Sequence, residues 1–203
     1  MDMKNMQKNT ESSTRIIELV PQTSTFKIQE INDNELDSEK LMQAQQIFVS
    51  YFTDLYKDIP PAILGIENVP NYLKEIFNKT KIALNERTIR GFLAYIDDEP
   101  VGFSTCGLLE DSTMLLLRTM PIHLAYKDKA IEIYNAFLAY SHQQFPTAQS
   151  IVMMVRKANV VQASLCRQTG FTKNHEPLKQ STYLKANYSS EWYEAYIYHF
   201  IKQ

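Results

Sequence analysis

Two stretches of the sequence hold residues whose types and spacing suit ligand chemistry. The first is Asn159-Val160-Val161-Gln162-Ala163-Ser164-Leu165-Cys166-Arg167-Gln168-Thr169-Gly170-Phe171, which follows the apolar run Ser150 to Val155. An asparagine at a helix start caps the helix with its side-chain oxygen, and it can also hydrogen-bond a passing chain of amides. Gly170 suits the left-handed residue that closes a helix. Phe171 anchors the strand beyond. The second stretch is Ile122-His123-Leu124-Ala125-Tyr126-Lys127-Asp128-Lys129-Ala130-Ile131-Glu132. Its lysines, Lys127 and Lys129, can grip phosphate. Carboxylates such as Asp128 and Glu132 favour a helix N-terminus by ~0.3–1 kcal/mol, so they compete with a bound anion for the same dipole. A solvated, well-capped helix start and a modified phosphate-binding turn both fit. His123 titrates near neutrality and could relay a proton, although a lone loop histidine is more often incidental. Cys166 is a thiol with an ordinary pKa of ~8.5, and both a proton donor and a packed core residue fit it.

Other chemistry leaves no trace. The sequence has no nucleophile elbow of the Gly-x-Ser-x-Gly kind, no Walker loop, no His-Glu-x-x-His and no Cys-x-x-Cys, so no metal site can be argued. The formal net charge of −2 gives nucleic acid no basic surface to bind. Two cysteines, Cys106 and Cys166, make no disulfide framework, and a reducing, cytoplasmic setting is the simplest expectation. No apolar run approaches the ~18 residues of a membrane helix. With 44% apolar and 22% charged residues the chain can bury a core, and 203 residues suit one domain better than two. Residues 1–23 read as a polar tail without the apolar centre of a secretion signal, and residues 24–203 as a single domain.

The elements that must position these residues follow from periodicity. Thr25 to Ile31 alternates as a strand. Asn32-Asp33-Asn34 offers a cap for a helix whose apolar stripe is Leu41, Ala44, Ile47, Phe48, Tyr51, Phe52 and Leu55. Asn68-Val69-Pro70 opens a second helix, from about Asn71 to Lys79. Arg90 to Asp97 and Val101 to Leu109 make a hairpin about Asp97-Asp98-Glu99-Pro100. A strand at about Thr113 to His123 holds Met114-Leu115-Leu116-Leu117, too apolar for a sheet with one wet face. A helix from about Asp128 to Gln144 carries Ile131, Tyr134, Phe137, Leu138 and Ser141 on one stripe. Ser150 to Val155 reads as a central strand covered on both faces. Ala158 to Thr169 is a short helix. Two strands close the chain, at Phe171 to Glu176 (with a continuation to Leu184 open) and Tyr193 to Phe200. This is an α/β chain: a central mixed sheet of seven strands flanked by helices.

Asn159, Leu165, Gly170 and Phe171 fall in register with the second cofactor motif of the GNAT family of acetyl-CoA-dependent N-acetyltransferases, in which Asn is followed by Leu at six residues and Gly-Phe at eleven and twelve. The order of elements also resembles that family, over nearly all the chain beyond the tail. The resemblance implies the GNAT, or acyl-CoA N-acyltransferase, fold and transfer of an acetyl group from acetyl-CoA to an amine of a small molecule, peptide or protein. It implies that Met120 and Ile122 hold the pantetheine arm through their main chain at the splayed end of the fourth strand, with a bulge near Pro121. Asn159 would bind the pantetheine amides, and Lys127, Asp128, Lys129, Ala130 and Ile131 would lie along the pyrophosphate. In the family's glycine-rich turn, this sequence has Asp128, Ala130 and Glu132. Cys166 stands where the family usually carries a tyrosine acid, and no carboxylate occupies the matching region of the fourth strand, Leu116 to Arg118. Cys166 and His123 are therefore the catalytic candidates, with Tyr196 and Tyr198 offered for the acceptor site. A homodimer is a further expectation. A non-catalytic binding or regulatory protein of the same fold is the alternative. The premise common to all these is a slot where two parallel strands part near Ile122 and Val155.

Overall fold

In the computed structural model, residues 26–31, 39–110 and 113–200 are described. The N-terminal tail, the expected cap at Asn32-Asp33-Asn34 and Asp111 lie outside these residues. The elements in chain order are β1 (Phe26–Ile31), α1 (Glu39–Tyr56), α2 (Pro61–Leu64), α3 (Val69–Asn85), β2 (Arg90–Ile96), β3 (Glu99–Leu108), β4 (Met114–Thr119), α4 (Ala130–Gln144), β5 (Ser150–Arg156), α5 (Val160–Gln168), β6 (Thr172–Lys173), α6 (Glu176–Gln180), α7 (Thr182–Asn187) and β7 (Tyr193–His199). The strands form one seven-stranded sheet in the order β1-β2-β3-β4-β5-β7-β6. Only β4 and β5 pair in parallel; the other neighbours are antiparallel.

Local chemistry accounts for most of these boundaries. The β2–β3 hairpin turns on Asp97 and Asp98, both at positive φ (50° and 68°), as a tight primed turn requires. The Asn68 side chain accepts the Asn71 amide at 2.9 Å and caps α3, with Pro70 in the first turn. This helix runs one and a half turns past its expected end at Lys79, because Ala83 and Leu84 continue the buried stripe of Leu73, Phe77 and Thr80. The segment after β6, left open as a strand, is instead the two short helices α6 and α7. Pro177 removes a ladder donor, and Ser181 accepts the Leu184 amide to cap α7.

Three clusters of buried side chains make the core. The odd and even residues of β2 divide between its two faces. Phe92, Ala94 and Ile96 join Ile133, Tyr134, Phe137 and Cys166 under α4 and α5. Leu93 and Tyr95 join Phe48, Phe52, Leu73 and Phe77 under α1 and α3. The third cluster lies under α6 and α7, where Leu116, Val152 and Met154 meet Leu178 and Leu184. Leu115 and Leu117 of β4 face α4 while Leu116 faces the other side, so the apolar run is covered on both faces as expected. The α4 stripe holds Tyr134, Phe137, Leu138 and Ser141 buried as expected and adds Ala130 and Ile133, while Ile131 is 41% exposed; α4 starts at Ala130 rather than Asp128.

Gly170 stands just beyond α5 at φ +89°, and a β-carbon there would meet the Tyr198 ring at 3.3 Å. An L-residue pays about 1–2 kcal/mol in this region. Gly170→Ala should therefore lower the melting temperature by roughly 2–8 °C, measured by calorimetry or circular dichroism.

Candidate functional site

The site begins with a fault in the sheet. Thr105 of β3 pairs with Thr119, but Cys106 pairs with Leu117, so Arg118 is an extra residue in β4. A bulge of this kind bends the strand that carries it. Pairing between β4 and β5 accordingly runs from Met114 with Ser150 to Leu117 with Met153, and stops there. Beyond this point β5 keeps its bonds to β7 as far as Arg156. The strands thus part several residues earlier than Ile122 and Val155, and the bulge is at Arg118, not near Pro121.

Past the bulge the chain stays bonded to β3. Phe103 donates its N–H to the Pro121 carbonyl at 3.0 Å, His123 donates to the Val101 carbonyl at 2.8 Å, and Ile122 lies opposite Gly102. In an antiparallel pair the residues between such bonds turn their own N–H and C=O to the other side. Met120 and Ile122 therefore present their main-chain polar groups to the flank from which β5 has withdrawn. Their side chains are buried under α4, at 0% and 1% exposure.

A cavity of about 450 Å3 opens at the parted strands. Phe48, Phe52 and Tyr56 of α1, and Tyr72 and Ile76 of α3, form one wall; Tyr183, Tyr188, Trp192 and Tyr193 form the other. Arg118 and Thr119 line it from β4, Met153 to Arg156 from β5, and Asn159 and Gln162 from α5. Gly65 closes α2 at φ +66°, where a β-carbon would lie 2.6 Å from Trp192, so glycine lets that indole form the wall. Arg156 is buried, its charge answered by a hydrogen bond to the Leu64 carbonyl and by the rings of Tyr72 and Tyr193 at 4.9 and 4.8 Å. Burial holds the Tyr56, Tyr188 and Tyr193 hydroxyls well above the usual phenol range, so they act as donors, not bases. Among the described residues, neither a carboxylate nor a histidine lines this cavity.

The expected site residues separate into three groups. Asn159 is at the cavity, and its side-chain oxygen accepts the Gln162 amide at 2.9 Å, leaving its amide hydrogens for a ligand. Gln162 in turn donates to the Met153 sulfur at 2.9 Å.

The 122–132 stretch takes an unexpected form. Leu124–Lys129 is a 3₁₀ helix, capped by the His123 Nδ1, which accepts the Ala125 amide at 3.3 Å. The Tyr126 amide donates to the His123 carbonyl and the Ala130 amide to that of Lys127. The Ala125, Tyr126 and Ala130 amides are thus already used, and the turn is kinked at Tyr126 (φ −115°, ψ 26°). Lys127 forms an ion pair with Asp54 of α1 at 3.0 Å, and Lys129 with Glu132 at 3.7 Å. Hydrogen bonds from Lys57 and Lys127 hold the Asp54 carboxyl below the usual carboxylate range. Asp128 and Ile131 are exposed.

The third group lies away from the cavity. Cys166 is fully buried, with its sulfur 3.5 Å from that of Met153, and burial pushes the thiol up to about 12. His123 is exposed beyond the parted strands. Tyr196 packs in the core under α4 and α5 with Tyr198 at its edge, on the opposite side of the sheet from the aromatic walls. The wall tyrosines come instead from α1, α3 and the α7–β7 segment; Tyr183 and Tyr188 sit in the stretch whose periodicity was ambiguous. Glu110, just before β4, accepts the Ser181 hydroxyl at 3.0 Å and the Tyr183 amide at 2.5 Å.

No described group of His, Cys, Asp and Glu could hold a metal, and no described helix is long and apolar enough to cross a membrane. No family profile matches the sequence, and no curated protein matches it. The structure does have counterparts. The PaiA N-acetyltransferase of Thermoplasma acidophilum, solved with coenzyme A, superposes with a TM-score of 0.63 at 15% identity, over 87% of this chain and 99% of that one. The Campylobacter jejuni N-acetyltransferase PseH, solved with acetyl-coenzyme A, gives 0.52 at 12% identity over 87% and 100%. A Desulfovibrio desulfuricans protein assigned to the GNAT family gives 0.56 at 10% identity over 86% and 99%. The fold is that of the GNAT acetyltransferases. In GNAT terms the parted strands are the fourth and fifth, as the resemblance of the Asn159 to Phe171 motif implied.

The burial of both thiols makes a direct prediction. With burial also pushing Cys106 up to about 12, roughly one molecule in ten thousand carries either thiolate at pH 8. Iodoacetamide at pH 8 should leave both cysteines unmodified in the folded protein and label both after denaturation, as read by mass spectrometry.

Proposed function

We propose that this protein is an acetyl-CoA-dependent N-acetyltransferase. The observation that carries the reading is the parting of β4 and β5 after Leu117 and Met153, with the main-chain groups of Met120 and Ile122 turned into the gap and a cavity beside it. An extended amide-bearing arm complements that geometry. The arm completes the hydrogen bonding that β5 no longer supplies to Met120 and Ile122, and the Asn159 amide donates to one of its carbonyls. Ile131, Val160 and Val161, exposed at 41%, 69% and 48%, stand in the first turns of the helices that follow the two parted strands and give the arm an apolar flank.

The pyrophosphate is held mainly by side chains. Lys127 and Lys129 supply point charges in place of a glycine-lined amide cradle, while Asp128 and Ala130 shape the helix start. Asp54 occupies Lys127 until phosphate displaces it. In the reaction the acceptor nitrogen attacks the thioester carbonyl carbon, a C–N bond forms and the C–S bond breaks. The nitrogen loses a proton to solvent and the sulfur gains one. The aromatic, cation-bearing cavity disfavours an ammonium ion and so favours the free amine that attacks. Neither Cys166 nor His123 enters this scheme. Cys166 packs the core, and His123 caps the 3₁₀ helix.

Acetyl-CoA at one hundred times its dissociation constant should stabilise the protein by ~2.7 kcal/mol, seen as a rise in melting temperature. Lys127→Glu should abolish that rise. Asp54→Ala should strengthen acetyl-CoA binding several-fold by freeing Lys127, with little change in protein stability because surface ion pairs are screened by water. Absence of any shift with millimolar acetyl-CoA in the unmodified protein would leave the non-catalytic binding module as the reading of this fold.

A further inference from the structure

Among the described residues, one cation of the cavity has no carboxylate to pair with. Its cations are Lys79, Arg118 and Arg156. Lys79 pairs with Glu75 at 2.6 Å. Arg156 is satisfied by the Leu64 carbonyl and two tyrosine rings. Arg118 differs. Its guanidinium lies over the Tyr183 ring at 5.6 Å, and its Nε is shielded from solvent without a hydrogen-bond partner. Glu110 shares the adjoining cavity of about 200 Å3 with Arg118, but its oxygens are taken by Ser181 and the Tyr183 amide. Among the described residues no carboxylate pairs with Arg118. Arg118 is half-buried, and its shielded Nε–H is a donor without an acceptor that a planar oxyanion would satisfy through paired N–H donors.

The position of Arg118 gives this vacancy meaning. It is the bulged residue, one step beyond the last β4–β5 pair at Leu117. Met120, whose main chain faces the gap, is two residues further, so the two Cα atoms are roughly 6–7 Å apart. A molecule with its oxyanion on Arg118 and its amine at the gap is therefore compact. Phe48, Phe52, Tyr72 and Trp192 offer its remainder an aromatic enclosure, of a volume suited to a small molecule.

We propose that the acceptor is a small primary amine bearing a carboxylate, with Arg118 the residue that recognises the carboxylate. This rests on the acetyltransferase reading, which it deepens by naming the acceptor class. The selectivity is positive and negative at once. The carboxylate completes Arg118, whereas an amine without one leaves that guanidinium unanswered and adds a further cation to a cationic cavity.

Matched pairs test it: phenylalanine with phenethylamine, tyrosine with tyramine, 4-aminobutyrate with butylamine, and O-phosphoethanolamine with ethanolamine. Each is measured for acetylation with acetyl-CoA and, separately, for binding by the shift of the Arg118 Nε–H resonance in the 15N spectrum. The expected result is at least tenfold higher kcat/KM for the carboxylated member of a pair, with a resonance shift that its partner lacks. Arg118→Gln should erase the preference while keeping the acetyl-CoA melting shift; Arg118→Lys should restore part of it. No preference for a carboxylate in any pair, a preference that survives in Arg118→Gln, or a preference confined to the phosphate pair would each overturn the proposal. If acetyl-CoA fails to bind the unmodified protein, the acetyltransferase reading falls, and the resonance shift alone then decides whether Arg118 selects carboxylates.

Discussion

One residue too many in β4 governs this molecule. Arg118 breaks the register against β3, and the strand beyond it no longer follows β5. A central pair of parallel strands normally satisfies every main-chain donor and acceptor along its length. Here the pairing stops while both strands continue, each held from its outer side, β4 by β3 and β5 by β7. The sheet can tolerate this gap because it is anchored on both flanks. The same bulge sends an arginine side chain into the cavity that the gap opens.

The gap also divides the charges. At one end, Lys127 and Lys129 sit among Asp54, Asp128 and Glu132 at an exposed helix start, where each lysine already has a carboxylate partner. At the other, the cavity has cations and phenols but, among the described residues, no carboxylate. Water screens the first set, so an anionic ligand can exchange for Asp54 at small cost. The second set is enclosed, and there an unanswered charge weighs more. A ligand anchored loosely by charge outside and selected by charge inside is the arrangement these two environments support.

Much of the frame was legible in the sequence because it depends on periodicity. The run Met114 to Leu117 and the strand Ser150 to Val155 could only be central strands, and Asn159 with Gly170 marked the start and end of α5. The site was less legible. The bulge at Arg118 leaves no mark in composition, since an inserted residue shows only in the register of two strands distant in sequence. The aromatic walls come from four separate segments, so no local spacing announces them. Ile131 fits the apolar spacing of the α4 stripe, but its neighbour Ala130 is the residue the fold buries there. Cys166 aligned with a functional position, but the same helical phase that keeps Asn159 at the cavity directs the thiol into the core beside Met153.

The departures in the phosphate turn and the absence of a carboxylate base weaken a conventional acetyltransferase in different ways, and the structure answers them separately. Glycines matter where main-chain amides must touch phosphate. Here the Ala125, Tyr126 and Ala130 amides already have acceptors within the turn. On the proposed reading Lys127 and Lys129 supply the grip, and cofactor binding then depends on ionic strength more than an amide cradle would make it. The missing base is answered inside the cavity. Arg118 and Arg156 raise the local potential, and aromatic walls exclude water, so an acceptor's ammonium is penalised relative to its free amine. A fixed base is needed least where the surroundings already favour the unprotonated nucleophile, and on the proposed reading this cavity, lined among the described residues by neither a carboxylate nor a histidine, supplies such surroundings.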